Sequence, residues 1–282
     1  MRKSLITTAV LGALAAPEFV FAADAAPAPD LTVSYNVGLY SQYIFRGLTQ
    51  TDRKPALQGG VDLTHSSGFY LGAWGSNISW LTDSNGVGAD ETSSYYTKGG
   101  HLEVDVYGGY RHTFEGIGSG VGIDIGALQY WYPGTLRSGK ADANTTELYA
   151  ALSYGWLQGK ISGVVSDEAW GNGRVNGSGD KADGTYYAEL NATLPIGDLV
   201  GGEALKGVTG LVHVARQEFN GAANDPYSYT DWKIGLQKSF DSGVNVGAYW
   251  TDTNISDRNG LWLYNGKNIG DSTGTAYIQK TF

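Results

Sequence analysis

Residues 102–114 read Leu102-Glu-Val-Asp-Val-Tyr-Gly-Gly-Tyr-Arg-His-Thr-Phe114. Leu102, Val104, Val106, Gly108, Tyr110, His112 and Phe114 fall on one parity, and Glu103, Asp105, Tyr107, Gly109, Arg111 and Thr113 on the other. Successive side chains of a β-strand point to opposite faces, so this segment offers one face to an apolar medium and the other to water. The same period of two recurs along the chain. It predicts strands over 33–47, 55–65, 69–80, 102–114, 121–132, 145–154, 158–167, 185–194, 207–217, 229–240, 244–252 and 273–282. In the first, Val33, Tyr35, Val37, Leu39, Tyr43 and Phe45 share the apolar face, opposite Asn36, Gln42 and Arg46. The facing of 69–80 and 207–217 is ambiguous from pattern alone.

A soluble β-sandwich also alternates, so other features must separate a core from lipid. Most of these segments are long enough to cross a bilayer as tilted strands, which need about 9–11 residues. Connections are alternately long and polar, then short, as in outer-membrane barrels. Aromatics gather toward strand ends: Phe45, Trp80, Trp131, Tyr132, Tyr186, Trp232 and Trp250 at the long-loop end, and Tyr35, Phe69, Phe114, Tyr154, Phe240 and Phe282 at the short-turn end. Two interfacial girdles are expected of a membrane barrel, whereas a soluble core would centre its rings. The fold class expected is therefore all-β, a transmembrane antiparallel β-barrel of about 12 strands. Lys280 interrupts the closing apolar parity of Ala276, Ile278 and Phe282, but near an interface its ammonium can snorkel.

The N-terminus reads as an export signal. Arg2 and Lys3 precede an apolar run from Leu5 to Ala16, too short for a membrane helix, and Val20-Phe21-Ala22 suits cleavage after Ala22. Residues 1–22 are thus a signal peptide, 23–30 a periplasmic lead-in, and 31–282 the barrel. The chain of 282 residues has no cysteine, which excludes disulfides, thiolate metal sites and cysteine nucleophiles. Its net charge of −9 advertises no nucleic-acid surface. Glycine (42 residues) and tyrosine (19) are abundant, and strand glycines such as Gly38, Gly59, Gly60, Gly108, Gly109, Gly122 and Gly126 would relax curvature and leave room on crowded faces. Acidic loop residues (Asp83, Asp90, Glu91, Asp167, Glu168, Asp180, Asp183, Asp252, Asp257, Asp271) would face the lipopolysaccharide layer and its divalent cations, or simply water.

Two stretches carry a family resemblance: SQYIFRGLTQTDRKPALQGGVDL at 41–63 and SGFYLGAWGSNISW at 67–80, with Glu103-Val-Asp105, Glu147-Leu-Tyr149 and the closing Lys280-Thr-Phe282 in keeping. They resemble the TorF family of porins, exported proteobacterial outer-membrane proteins. The resemblance implies a single outer-membrane barrel that would meet periplasmic chaperones, the barrel-assembly machinery, membrane lipid and lipopolysaccharide. It assigns no residue a role.

By parity the lumen is lined by Asp62, Glu103, Asp105, Asp124, Glu147, Glu189 and Asp231 against Arg46, Arg111, Lys160 and Lys233, an acidic surplus that would give a pore a mild cation preference. Tyr40, Tyr107, Tyr149, Tyr187 and Tyr249 could constrict it. Twelve strands lie between side-chain-filled barrels and open porins, so a channel for small hydrophilic solutes and a non-conducting barrel with a structural or loop-mediated binding role both stand. Arg46 or Arg111 is expected to neutralise the Glu103/Asp105 pair. Chemistry has weaker candidates. His65-Ser66-Ser67 has hydrolase-like spacing but falls at a short turn; His101, His112 and His213 have no metal-ligand spacing. No catalytic, cofactor or metal residue is assigned.

Overall fold

The computed structural model describes residues 30–116, 120–175, 179–256 and 260–282. The predicted signal peptide (1–22), its cleavage after Ala22, the predicted lead-in apart from Asp30, and Asp257 lie outside the described residues. Twelve strands close into one antiparallel barrel. They are β1 (Leu31–Tyr40), β2 (Ala56–His65), β3 (Phe69–Asn77), β4 (Leu102–Phe114), β5 (Val121–Trp131), β6 (Thr145–Tyr154), β7 (Leu157–Val164), β8 (Tyr186–Leu194), β9 (Val208–Glu218), β10 (Tyr229–Ser239), β11 (Val244–Thr253) and β12 (Thr273–Thr281). Each pairs with its sequence neighbours, and β1 pairs with β12 from Asn36↔Thr281 to Tyr40↔Tyr277, which leaves no free edge. Among the described residues no helix is long and apolar enough to cross a membrane.

The outer surface follows the predicted parity. Val33, Tyr35, Val37, Leu39, Leu102, Val106, Leu148, Leu152, Ile234 and Leu236 all stand exposed. In a soluble protein so broad an apolar surface would aggregate; on a barrel it matches hydrocarbon. Trp131, Tyr186, Trp232 and Trp250 ring the long-loop end, and Tyr35, Phe69, Phe114, Tyr154, Phe240 and Phe282 the short-turn end. Lys280 lies over the Phe282 ring with its ammonium on the Ser242 carbonyl, so it does snorkel to the short-turn end. The two ambiguous strands resolve: Phe69 and Leu71 face out with Tyr70 and Ser76 inside, and Val212 and Val214 face out with Thr209, Leu211, His213 and Gln217 inside.

Three strands stop three or more residues earlier than predicted, β1 at Tyr40, β3 at Asn77 and β7 at Val164. The first matters most. Alternation continues past Tyr40, but Arg46 (φ 48°) and Gly47 (φ 81°) take left-handed conformations, and Ile44–Phe45 pairs with Leu48–Thr49 as a tight hairpin. A Cβ on Gly47 would stand 2.7 Å from both Asp231 Cβ and Thr253 Cγ2, so only glycine lets this turn press against the wall. The segment 41–55 therefore bends into the barrel. Tyr43 and Phe45, predicted on the lipid face, are buried inside it, and so are Trp80 and Tyr132, predicted in the girdle. Their rings join Tyr130, Trp170, Phe219, Tyr229 and Trp262 in an aromatic cluster at the long-loop end. Centroid separations of 5.4–5.6 Å for Phe45–Tyr130, Tyr130–Trp170, Trp80–Tyr132 and Tyr229–Trp262 mark edge-on packing. Local periodicity could not separate these rings from lipid-facing ones, because both environments are apolar.

Glycine and tyrosine abundance has a common cause inside. Gly72 is paired across the ladder with Tyr107, Gly109 with Tyr70, Gly126 with Tyr149, and Gly247 with Tyr277. In each pair an added Cβ would overlap the tyrosine: 2.6 Å from the Tyr107 hydroxyl, 2.6 Å from that of Tyr70, and 2.5 Å from those of Tyr149 and Tyr277. The ring lies flat over the glycine, covering its backbone and keeping bulk close to the wall, as in aromatic rescue of strand glycines.

Two outcomes follow. Val106→Arg, on the outer face, is expected to destabilise the folded barrel in lipid by about 2–4 kcal/mol if near mid-bilayer, read from urea unfolding in vesicles; a neutral result would invert the facing. Gly72→Ala should displace the Tyr107 ring and lower stability by about 1–3 kcal/mol, with the same assay as readout.

Candidate functional site

The interior of the barrel is polar and charged. Asp62, Glu103, Asp105, Asp124, Glu147, Glu189, Asp231, Arg111, Lys160 and Lys233 lie on the inward parity of the strands, and Arg46 on the inward segment. Arg46 reaches the lumen by a different route than predicted, from the 44–49 hairpin instead of a strand.

Arg46 is the hub of that hairpin. Its guanidinium donates two hydrogen bonds to Glu147 on β6 (2.9 and 2.8 Å) and one to Gln217 Oε1 on β9 (2.9 Å). Its Cζ also lies 4.3–4.9 Å from the ring centres of Tyr187, Phe45 and Trp170. Tyr130 donates to the same carboxylate (2.9 Å), and Tyr229 donates to the Arg46 carbonyl (2.9 Å). Nη2 serves both Glu147 oxygens while Nη1 serves Gln217, so a planar fork held between aromatic faces spans two partners, which arginine, and not lysine, can do. Since Tyr43 donates to Glu103 on β4 (3.0 Å), the segment bridges walls far apart around the barrel. Outside, Asp52 tethers it to the 260–272 loop through Lys267 (3.0 Å) and is also held by Lys54 of the segment itself (3.1 Å). Burial opposes ionisation of Asp52, but these two lysine hydrogen bonds outweigh it and keep its carboxyl below the ordinary pKa. The sign is that of a depressed acid, so this tether holds at neutral pH and is lost on acidification.

The expectation that Arg46 or Arg111 neutralises Glu103 and Asp105 is not met. Arg46 is committed to Glu147 and Gln217, and Arg111 donates to Thr64 (2.8 Å) and lies over the Tyr70 ring (4.9 Å). The reason is geometric: Arg111 is on the Glu103 strand but nearer its short-turn end, opposite Asp124. Asp124 accepts from Tyr70 (2.6 Å), which accepts in turn from Tyr149 (2.5 Å), and Asp62 accepts from Tyr107 (2.6 Å). Lys160 and Lys233 stand over Tyr149 (4.6 Å) and Tyr249 (5.3 Å). Tyr107 and Tyr149 thus lie along the wall, Tyr107 bonding Asp62 and Tyr149 bonding Tyr70, Tyr40 stacks on Tyr277 at 5.1 Å, and the 41–55 segment, not these rings, crosses the interior.

Sequence reasoning missed one lumenal centre. His213, of uncertain facing by pattern, is buried between Asn191 (2.6 Å), Tyr187 (2.9 Å) and Asp231 (3.1 Å), with Glu189 at 3.8 Å. Its register partners Asn191 and Lys233 also face inward, a cross-strand signal that no single strand displays. His65 Nδ1 meets both the Ser67 hydroxyl (2.7 Å) and its amide (3.2 Å) in an exposed turn, so the ring is used to close that turn. His112 stands exposed on the outer face beside Phe114. Several loop acids bond within the protein: Asp83 accepts from Ser79, Asp90 caps the 91–93 turn, and Asp167 pairs with Lys181. Asp252 belongs to β11 rather than to a loop. Among the described residues no group of three or more His, Asp or Glu is placed to hold a metal ion.

A closed antiparallel barrel with a hydrocarbon-compatible outside and a charged inside defines the class: a transmembrane-type β-barrel. The chain belongs to the family described as "Bacterial protein of unknown function (Gcw_chp)", whose family model matches residues 24–282. Solved structures of similar fold include the NanC porin (12% identity over 89% of this chain and 99% of that chain, TM-score 0.48) and the KdgM porin (9%, 89% and 98%, TM-score 0.46). OprD from Pseudomonas aeruginosa is another (11%, 89% and 65%, TM-score 0.37). No curated protein sequence matches the chain.

Arg46→Met should strand Glu147, whose side chain is 1% exposed, as a buried unpaired carboxylate and lower stability by about 3–5 kcal/mol. The double variant with Glu147→Gln should recover much of that loss, measured as a double-mutant cycle by urea unfolding.

Proposed function

We propose that the protein is an outer-membrane channel for passive diffusion of small hydrophilic solutes, with a mild cation preference. In this reading residues 1–22 direct export, 23–30 lie in the periplasm, the short turns face the periplasm and the long loops face lipopolysaccharide. The resemblance of 41–80 to TorF porins agrees with it, and it requires no catalysis or cofactor.

The observation that carries it is the unpaired charge of the interior. Within 4.0 Å the only lumenal ion pairs among the described residues are Arg46–Glu147 and His213 with Asp231 and Glu189. Asp62, Arg111, Lys160 and Lys233 have no counter-ion at that distance and remain part-exposed, whereas Glu103, Asp105 and Asp124, also without one, are buried. Charges sealed in a dry core pair or become neutral, because an isolated ion in low dielectric is prohibitively unfavourable. The part-exposed charges are supportable where water enters the lumen, and the acidic surplus of the lining as a whole favours cations. The alternative, a non-conducting barrel with a structural or loop-mediated binding role, is favoured by one feature: the 41–55 segment and its aromatic neighbours close over the long-loop end.

Planar-bilayer recording of the purified barrel decides between them. Unitary steps with a reversal potential favouring cations in asymmetric salt are expected, and Glu103→Gln with Asp105→Asn should reduce that preference. An absence of unitary steps rejects the channel.

A further inference from the structure

We infer that Asp105 and the aromatic side chains around it form a binding site for the ammonium group of a protonated primary amine. The inference rests on the channel reading and narrows it, since it names amine-bearing cations as the solute class that the lumen recognises.

Asp105 faces inward on β4, directly opposite Trp74 on β3 and Tyr130 on β5. Trp74 is itself opposite Gly60, which lets the indole lie against the wall. Tyr43, from the inward segment, packs edge-on to Trp74 at 5.5 Å and so completes three aromatic walls. Asp105 is 0% exposed, and among the described residues its only hydrogen-bonding neighbour is the Glu103 carboxyl, with no N–H, hydroxyl or cationic donor on either oxygen. On the adjacent inward rung stand Gln58, Ser76 and Glu103 in register. Gln58 Oε1 is likewise buried with no hydrogen-bond partner, and Glu103 accepts from Tyr43. The nearby cations are engaged elsewhere, Arg46 with Glu147 and Arg111 with Thr64.

What is missing is a group that is positive, donates several hydrogen bonds and tolerates aromatic faces. A primary ammonium has three N–H donors on a compact charge. It is drawn to the faces of tryptophan and tyrosine by their quadrupoles. A calcium ion fits poorly, because it needs six to eight oxygen ligands and aromatic side chains surround Asp105 instead. A neutral sugar or an anion would leave the two carboxylates uncompensated. The competing occupant is a single proton shared between Glu103 and Asp105.

The test is calorimetric titration of the refolded full-length barrel in detergent with propylammonium chloride, against propanol and sodium chloride at constant ionic strength. Saturable heat is expected with propylammonium alone. Asp105→Asn, checked for folding by heat-modifiable gel migration, should weaken binding by at least about tenfold, the loss of a charge-assisted hydrogen bond. Trp74→Leu, which keeps both carboxylates, should weaken it by about three- to tenfold through the lost aromatic face, and serves alone if Asp105→Asn does not fold. No saturable binding, equal displacement by sodium, or unchanged affinity in the folded variants would overturn the site and leave the shared proton. The titration needs no conductance. Amine binding without unitary steps would reject the channel and retain the site, whereas unitary steps without binding would do the reverse.

Discussion

Closure of the backbone ladder is the constraint from which the other features descend. Because β1 meets β12, with Leu39 opposite Ile278 and Tyr40 opposite Tyr277, every strand has two hydrogen-bonded neighbours. A spanning structure in hydrocarbon needs this, since an open edge would leave amides and carbonyls without partners. Closure also forces each strand to have one face inside and one outside along its whole length. A single residue of slip in one strand would exchange Val106 for Asp105 and place a carboxylate against lipid. Register and hydropathy therefore hold each other in place.

Inside, the dominant problem is filling a twelve-stranded cylinder without excluding water altogether. Two devices divide the task. Toward the short-turn end, tyrosines lie across glycines on neighbouring strands, and their hydroxyls then reach acids on the wall, as Tyr107 does with Asp62 and Tyr70 with Asp124. Toward the long-loop end the chain itself turns inward, and the Arg46–Glu147 bridge fastens the 44–49 hairpin to the far wall. The first device thins the lining and the second obstructs the bore. In the proposed channel a solute must pass the second, which makes the 41–55 segment the feature on which permeability would turn.

The interior electrostatics follow from the same division. Carboxylates near the hairpin compete for one guanidinium, and Glu147 holds it because Tyr187, Phe45 and Trp170 fix the plane of the arginine beside β6. Glu103 and Asp105 are left to one another and to tyrosine. On the opposite wall His213 mediates between Asp231, Tyr187 and Asn191. The lumen is thus a set of separate polar centres with differing charge balance, not a uniform acidic surface.

Much of this was legible in the sequence. Alternation alone placed Glu103 and Asp105 inside and Leu102 and Val106 outside, because a side-chain period of two has only two outcomes once one face is lipid. It also located all twelve strands and both girdles, apart from Phe45, Trp80 and Tyr132. Where it erred, at Tyr43 and Phe45, the pattern was unbroken but the backbone was not: left-handed Arg46 and Gly47 turned an apparent strand into a plug, and an aromatic core satisfies the same rings that lipid would. Partners of charged residues were illegible for a different reason. Which acid Arg46 meets, and that His213 joins an inward network, depend on strands distant in the chain brought into register. Local chemistry determined which face each residue takes; only barrel closure and the inward bend of 41–55 decided which residues meet across the interior.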